Sequence, residues 1–173
     1  MDTNELITKA QRGDRSAFEA LLQEHYDIMF RMAFRYCGNR QDAEDITQES
    51  CLKLARNLGS YKFRSAFTSW LFRLVINTAK DFYRSQKPAA PLEEDSAHST
   101  GDAETKVYAS EILAQVYKLP ENEKTALLLV MGEGMSHKEA SVVMECKEST
   151  VSWYIHEARK KLGVKDEKER RHG

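Results

Sequence analysis

The stretch from Pro88 to Asp102 divides the chain before any helix is placed. It reads Pro-Ala-Ala-Pro-Leu-Glu-Glu-Asp-Ser-Ala-His-Ser-Thr-Gly-Asp: two prolines, then acids and small polar residues, with no period of either helix or strand. Such a segment cannot run through a packed core, so the 173 residues divide into two small units joined by a flexible acidic linker over residues 88–106. On both sides apolar positions recur every three or four residues. With only 8 Gly and 3 Pro, the turn-rich spacing of a β-sandwich is excluded. The expected fold class is all-α: a helical bundle over residues 1–87 and a helix-turn-helix domain over 107–173.

In the first unit the pattern predicts a short helix from Asn4 to Arg12, ended by Gly13. A long helix follows with Phe18, Leu22, Met29, Ala33 and Tyr36 as its apolar positions, stopped by Gly38-Asn39. A third helix from Gln41 to Leu58 buries Ala43, Ile46, Ser50 and Leu54. After Gly59-Ser60 an aromatic loop leads into a fourth helix from Ala66 to Arg84, with Phe67, Phe72 and Phe82 read as core. In the second unit Pro120 suits a first helical turn, where its missing N–H costs nothing. Gly132-Glu133-Gly134 breaks the helix that carries Ala126 to Met131. Ser136 and Glu139 form a capping box for the next helix, which ends near Glu145-Cys146. The last helix, from Ser149, carries Val151, Ile155, Ala158 and Leu162 on one stripe.

Several classes of function are set aside by what the sequence lacks. The longest apolar run, Ala126 to Met131, is far short of the roughly 20 residues of a bilayer span, and Met1, Asp2, Thr3, Asn4 and Glu5 do not have a signal-peptide layout. A cytoplasmic protein without direct membrane insertion is expected. Cys37, Cys51 and Cys146 form no C-x-x-C and read as structural thiols, and no Cys/His pair has zinc-ligand spacing. No P-loop, dinucleotide fingerprint, His-Glu-x-x-His or Gly-x-Ser-x-Gly occurs, so neither an enzyme nor a bound metal or cofactor is expected.

The net charge of −1 hides an asymmetry: residues 1–87 carry 14 Lys/Arg against 11 Asp/Glu, and residues 88–106 carry 1 against 5. Three features concentrate charge or hydrogen-bonding groups. Asp42, Asp45 and Glu49 share one helix face; the helix dipole accounts for the first two, but Glu49 lies beyond the first turn. From Gly59 to Lys87 six cations face only Asp81, interleaved with seven of the chain's aromatic residues, an arrangement suited to an unstacked nucleic-acid strand. On the fourth helix Trp70, Arg73, Asn77, Lys80 and Arg84 form a polar ridge. Finally, Ser136 to Lys161 reads as a helix-turn-helix, with Ser141 as the small residue at the crossing and Val151 locking the pair. Opposite Val151 the second helix shows Ser149, Ser152, Trp153, His156 and Lys160, groups that could meet bases or phosphates. Spacing alone leaves open whether this is a DNA reader or an ordinary helical hairpin.

Taken together, the chain resembles the extracytoplasmic-function sigma factors of bacteria over nearly its full length. The resemblance is carried by Asp42-Ala-Glu-Asp45 with Gln48-Glu49, by Ser65-Ala-Phe-Thr-Ser-Trp-Leu-Phe-Arg-Leu-Val-Ile-Asn77-Thr-Ala-Lys80, and by Leu119-Pro120 through to Ala158-Arg159-Lys160-Lys161-Leu162. It implies that Asp42, Asp45, Gln48 and Glu49 dock on the clamp helices of the RNA polymerase β′ subunit, and that the second domain binds the β-flap. Tyr61, Lys62, Phe63, Arg64 and Ser65 match the loop that captures a flipped base of the minus-ten element, and Trp70, Arg73, Asn77 and Lys80 lie on the adjoining ridge. Lys138, Ser149, Thr150, Ser152, Trp153, His156, Arg159 and Lys160 take the positions that read minus-thirty-five promoter DNA. An anti-sigma factor is the further partner implied. The chain departs from the family pattern where Ser152, Tyr154 and Glu157 replace common cations, Glu145 replaces a common Gly, and Lys62-Phe63-Arg64 replaces an Arg-Gly-Asp-like run. Phosphate anchoring therefore falls to Arg159, Lys160, Lys161 and Lys138. The competing readings are a stand-alone helix-turn-helix regulator with an N-terminal dimerisation or ligand domain, and a metal-dependent enzyme built on the acidic face.

Overall fold

The first helix is fixed at its start by its own side chains. Asp2 accepts from the Glu5 amide at 2.8 Å while its own amide donates to the Glu5 carboxylate at 3.4 Å, a reciprocal cap that opens α1 (Thr3–Gln11). This computed structural model describes residues 1–86 and 111–163, so the linker assigned to 88–106 and the tail beyond Gly163 lie outside the described residues. The chain divides into two units, Met1–Glu93 and Glu94–Gly173, and every described regular element is helical.

In the first unit α2 (Arg15–Cys37) is capped by Asp14 and ended by Gly38 in the left-handed conformation, φ 78°. Its buried face differs from the expected one in the N-terminal half. Ala17, Leu21 and His25 point inward and continue to Met29, Met32, Ala33 and Tyr36, leaving Phe18 and Leu22 half-buried. The shift turns on His25, whose Nδ1 donates to the Leu21 carbonyl at 2.9 Å and whose ring meets Phe67 edge-on at 5.1 Å. A histidine satisfied in this way takes a core position that a count of apolar residues skips. Helix α3 (Arg40–Asn57), capped by Asn39, buries Ala43, Ile46, Ser50 and Leu54 as expected, with Thr47 added. The buried hydroxyls of Thr47 and Ser50 donate to the Ala43 and Ile46 carbonyls at 2.6 and 2.7 Å, so neither is left unsatisfied. A 3-10 turn (Leu58–Ser60) leads to the loop before α4 (Phe67–Ser85). Phe67 and Phe72 are core, whereas Phe82 is half-buried near the helix end. Helix α2 packs against α1, α3 and α4, and α3 packs against α4.

In the second unit residues 111–117 are helical (α5). Pro120 is the N-cap of α6 (Glu121–Leu127) rather than a first-turn residue, with φ −51° and ψ 145°. Helix α6 runs into a π turn, Leu128–Gly132, and then α7 (His137–Met144) opens on the expected capping box of Ser136 and Glu139. Glu145 separates α7 from α8 (Glu148–Lys161) in the left-handed region, φ 53°. That conformation is natural for glycine and costs other residues about 1 kcal/mol or more. Helix α8 packs against α6 and α7 through Val151, Ile155 and Ala158. From α7 the buried residues are Ala140 and Val143; Ser141 is only half-buried, and its hydroxyl donates to the Lys138 carbonyl at 2.6 Å. The small residue buried at the crossing is therefore Ala140, one position earlier than expected. No helix of the described residues is long and apolar enough to cross a membrane.

Candidate polymerase and nucleic-acid interfaces

Packing of Ala43, Ile46, Ser50 and Leu54 against the bundle turns the opposite side of α3 outward. Asp45, Gln48 and Glu49 are all exposed there. Leu52 stands with them, 53% exposed, four residues after Gln48 and three after Glu49. An uncovered leucine bordered by acids suits a protein surface better than a DNA phosphate, and counting charges alone does not find it. Asp42 sits differently. Its carboxylate accepts from Asn39 Nδ2 at 2.9 Å and from the Tyr83 hydroxyl at 3.0 Å, tying the start of α3 to the end of α4. Within this chain it is a brace, while Asp45, Gln48 and Glu49 face solvent.

The aromatic loop divides its rings between support and display. Tyr61 is buried and touches Phe63, Phe67 and Trp70 with centroid separations of 4.8, 5.3 and 5.5 Å. Its hydroxyl donates to the Ser65 carbonyl at 2.6 Å, which closes the loop on itself, and burial pushes the phenol pKa upward. Tyr61 thus supports the loop, and Phe63 is the ring displayed, 45% exposed. Phe63 also holds a positive φ of 57°, which for a bulky residue costs about 1–3 kcal/mol. Lys62 and Arg64 flank it in solvent, and Ser65 is half-buried.

Beside the loop, Trp70 stacks on Phe67 at 5.8 Å with an interplanar angle of 19°. Trp70, Arg73 and Asn77 of α4 line an open depression of about 230 Å³, closed on its other side by Lys53, Asn57 and Ser60. The last three were not among the expected residues: they belong to α3 and its 3-10 turn, and only the fold brings them to α4. Lys80 is half-buried further along the ridge. Lys53 pairs with Asp81 at 3.2 Å and Arg84 with the same carboxylate at 3.8 Å, so the one acid of this basic stretch is shared between two cations.

On α8 the residues opposite Val151 face outward as expected: Ser149, Ser152, Trp153, His156 and Lys160 are exposed, Trp153 by 56%. Thr150 and Arg159 are half-buried, and Arg159 Nη2 lies 3.5 Å from the Met131 sulfur. Lys138 is exposed on α7. Two of these side chains are also engaged within the chain. The Ser152 hydroxyl lies 2.7 Å from His137 Nδ1 and 3.2 Å from the Glu148 carbonyl, so it links α7 to α8. Lys161 Nζ lies 2.8 and 2.9 Å from the two oxygens of Glu123, a buried carboxylate on α6. Lys161 therefore compensates an internal charge, whereas Lys138 and Lys160 are exposed and Arg159 is half-buried. Among the described residues no group of His, Cys, Asp and Glu converges as a metal cluster would.

A helical bundle with an acidic face and an aromatic, cationic loop, followed by a helix-turn-helix unit, defines a class of transcription factor, and comparison with known proteins agrees. Residues 21–88 match Sigma-70 region 2 and residues 109–162 match Sigma-70, region 4. The RNA polymerase sigma-H factor of Pseudomonas aeruginosa is 33% identical over 174 residues, covering 91% of this chain and 90% of that protein. The ECF RNA polymerase sigma-E factor of Haemophilus influenzae is 30% identical over 173 residues, covering 91% of each. In fold, the sigma factor RpoE of Bartonella quintana, solved with the anti-sigma factor NepR, superposes with a TM-score of 0.67 at 17% identity, over 84% of this chain and 93% of that one. The chain belongs to the sigma-70 family, as an RNA polymerase sigma factor of the extracytoplasmic-function group.

Proposed function

We propose that the chain joins core RNA polymerase, directs it to signal-responsive promoters and assists strand opening, with no active site of its own. Domain limits of 1–87 and 107–173, with the acidic linker between, go with this reading. Asp45, Gln48, Glu49 and Leu52 form the face offered to the β′ clamp helices, with Asp42 holding that face in register. The loop from Tyr61 to Ser65 takes an unpaired base on Phe63, where stacking contributes about 1–3 kcal/mol per base. Trp70, Arg73, Asn77 and Lys80 guide the strand beyond it. The second unit contacts the β-flap and sets α8 on minus-thirty-five duplex DNA, through Trp153, His156 and Ser149 toward bases and Lys138, Arg159 and Lys160 toward phosphates. An anti-sigma factor that covers these surfaces holds the protein inactive in the cytoplasm; the RpoE relative solved with NepR supports such a partner.

The observation that carries the reading is the succession within one small unit of an exposed acidic and apolar face on α3 and a displayed aromatic ring flanked by cations just after it. The stand-alone regulator has no such use for an acidic face next to a base-stacking loop, and the match along the chain to sigma factors disfavours it. A mobility-shift experiment with promoter duplex tests the proposal. Chain and core polymerase together are expected to give a promoter-specific complex that neither gives alone at physiological salt. A tight, specific shift by the chain alone would refute it, because 26 Lys and Arg are offset by 27 Asp and Glu, leaving a net charge of −1.

A further inference from the structure

Helix α1 lies ahead of the segment that matches region 2, yet its last residue reaches the base-capturing loop. Gln11 is half-buried and places Nε2 2.9 Å from the Leu58 carbonyl oxygen and 2.9 Å from the Tyr61 carbonyl oxygen. Both partners only accept, so the amide must present its nitrogen to them. The two carbonyls bracket the 3-10 turn, across which the Tyr61 amide donates back to the Leu58 carbonyl at 3.1 Å. Tyr61 is where the loop begins, and the bond from its hydroxyl to the Ser65 carbonyl at 2.6 Å is where the loop closes. Between these braces Phe63 is held at φ 57°, a conformation that its own backbone preference resists. A strained residue persists only where its surroundings fix it, and here they fix it at the loop's entry and at its exit.

We infer that Gln11 is a positioning residue for strand opening: its two hydrogen bonds anchor the entry of the loop so that Phe63 is presented to an unstacked nucleobase. Gln11 does not touch the base. It holds the carbonyl of the residue whose ring and hydroxyl shape the loop. The inference rests on the proposed role of the loop, and the experiment separates the two.

Full-length variants are assembled with core polymerase on a promoter carrying 2-aminopurine at the non-template base to be captured, and the fluorescence rise on unstacking is titrated. Gln11→Leu, which removes both donors, is expected to weaken capture about tenfold. Gln11→Lys returns a donor and is expected to recover most of the loss. Gln11→Glu keeps the shape but sets acceptors against carbonyls, and falls below Gln11→Leu. That order follows donor chemistry rather than side-chain volume, and affinity for core polymerase stays unchanged throughout. Should Gln11→Leu fold poorly, the Lys and Glu variants compared with each other still decide the matter. Equal capture by all three, or Gln11→Lys no better than Gln11→Glu, overturns the inference. Phe63→Ala serves as the control: loss of capture there with no effect at Gln11 overturns the positioning role alone, whereas unchanged capture by Phe63→Ala overturns the loop's role and the inference with it.

Discussion

Replacing Lys161 or Lys160 with alanine distinguishes two neighbouring cations that a charge count treats alike. The Lys161 ammonium sits against both oxygens of Glu123, whose side chain is 7% exposed while that of Lys161 is 45% exposed. Breaking a fully buried pair by removing one partner costs about 3–5 kcal/mol, and an exposed pair is worth at most about 1. A buried carboxylate facing a half-exposed ammonium falls between, so Lys161→Ala is expected to destabilise the second unit by about 2 kcal/mol. For a small domain that lowers the midpoint by about 10 °C. Lys160 is exposed and pairs with no buried acid, so Lys160→Ala is expected to leave the melt unchanged and, if it meets a phosphate as proposed, to flatten the salt dependence of promoter binding by about 0.9 in the log–log slope. Calorimetry of the full chain and salt titration of holoenzyme on promoter DNA measure the two effects. If Lys161→Ala melts normally and flattens the salt slope as Lys160→Ala does, the assignment of Lys161 to Glu123 is wrong.

Three further outcomes follow from the same structure. Glu145→Gly relieves the left-handed residue between α7 and α8 and is expected to raise second-unit stability by about 0.5–1 kcal/mol, the unfolded-state entropy of glycine offsetting part of the gain; chemical denaturation checks it. Burial, then the neighbouring Cys37 and Asp42, raises the Tyr83 phenol above its ordinary 10.0, and burial raises the Cys37 thiol above 9.0. Groups raised in the folded state contribute stability that is present below their unfolded values and lost as pH rises, so first-unit stability should hold to about pH 9 and decline above it. Tyr83→Phe combined with Cys37→Ala should flatten that decline in pH-dependent melts, and an unchanged decline would contradict the account. Asp45→Lys and Leu52→Glu are expected to weaken core-polymerase binding in a pull-down while leaving the melt intact, and retained binding would remove α3 from the interface.

Periodicity carried the reading furthest where packing is local and apolar. The stripes Ala43, Ile46, Ser50, Leu54 and Val151, Ile155, Ala158 are buried as the spacing requires, and Ser136 with Glu139 starts α7 as the capping pattern requires. It failed where a polar side chain does an apolar residue's work. His25 is buried because its ring nitrogen finds the Leu21 carbonyl, and skipping it shifted the inner face of α2 onto Phe18 and Leu22. It failed again where partners are remote in sequence. Gln11 meets Leu58 and Tyr61, Asp42 meets Tyr83, and Lys161 meets Glu123 only after the helices have packed. The outward face of α8 was legible because the apolar stripe fixes what lies opposite. Which of its polar groups are already engaged, as Ser152 is with His137, was not.

A chain that links core polymerase to an opened promoter strand must make transcription start where none starts without it, and run-off transcription reads that out. With purified core polymerase and promoter DNA from the native host, transcripts of defined length are expected only when the chain is added, and few when Phe63 is replaced by alanine. Transcripts equally abundant with core polymerase alone would show that the chain does not direct initiation.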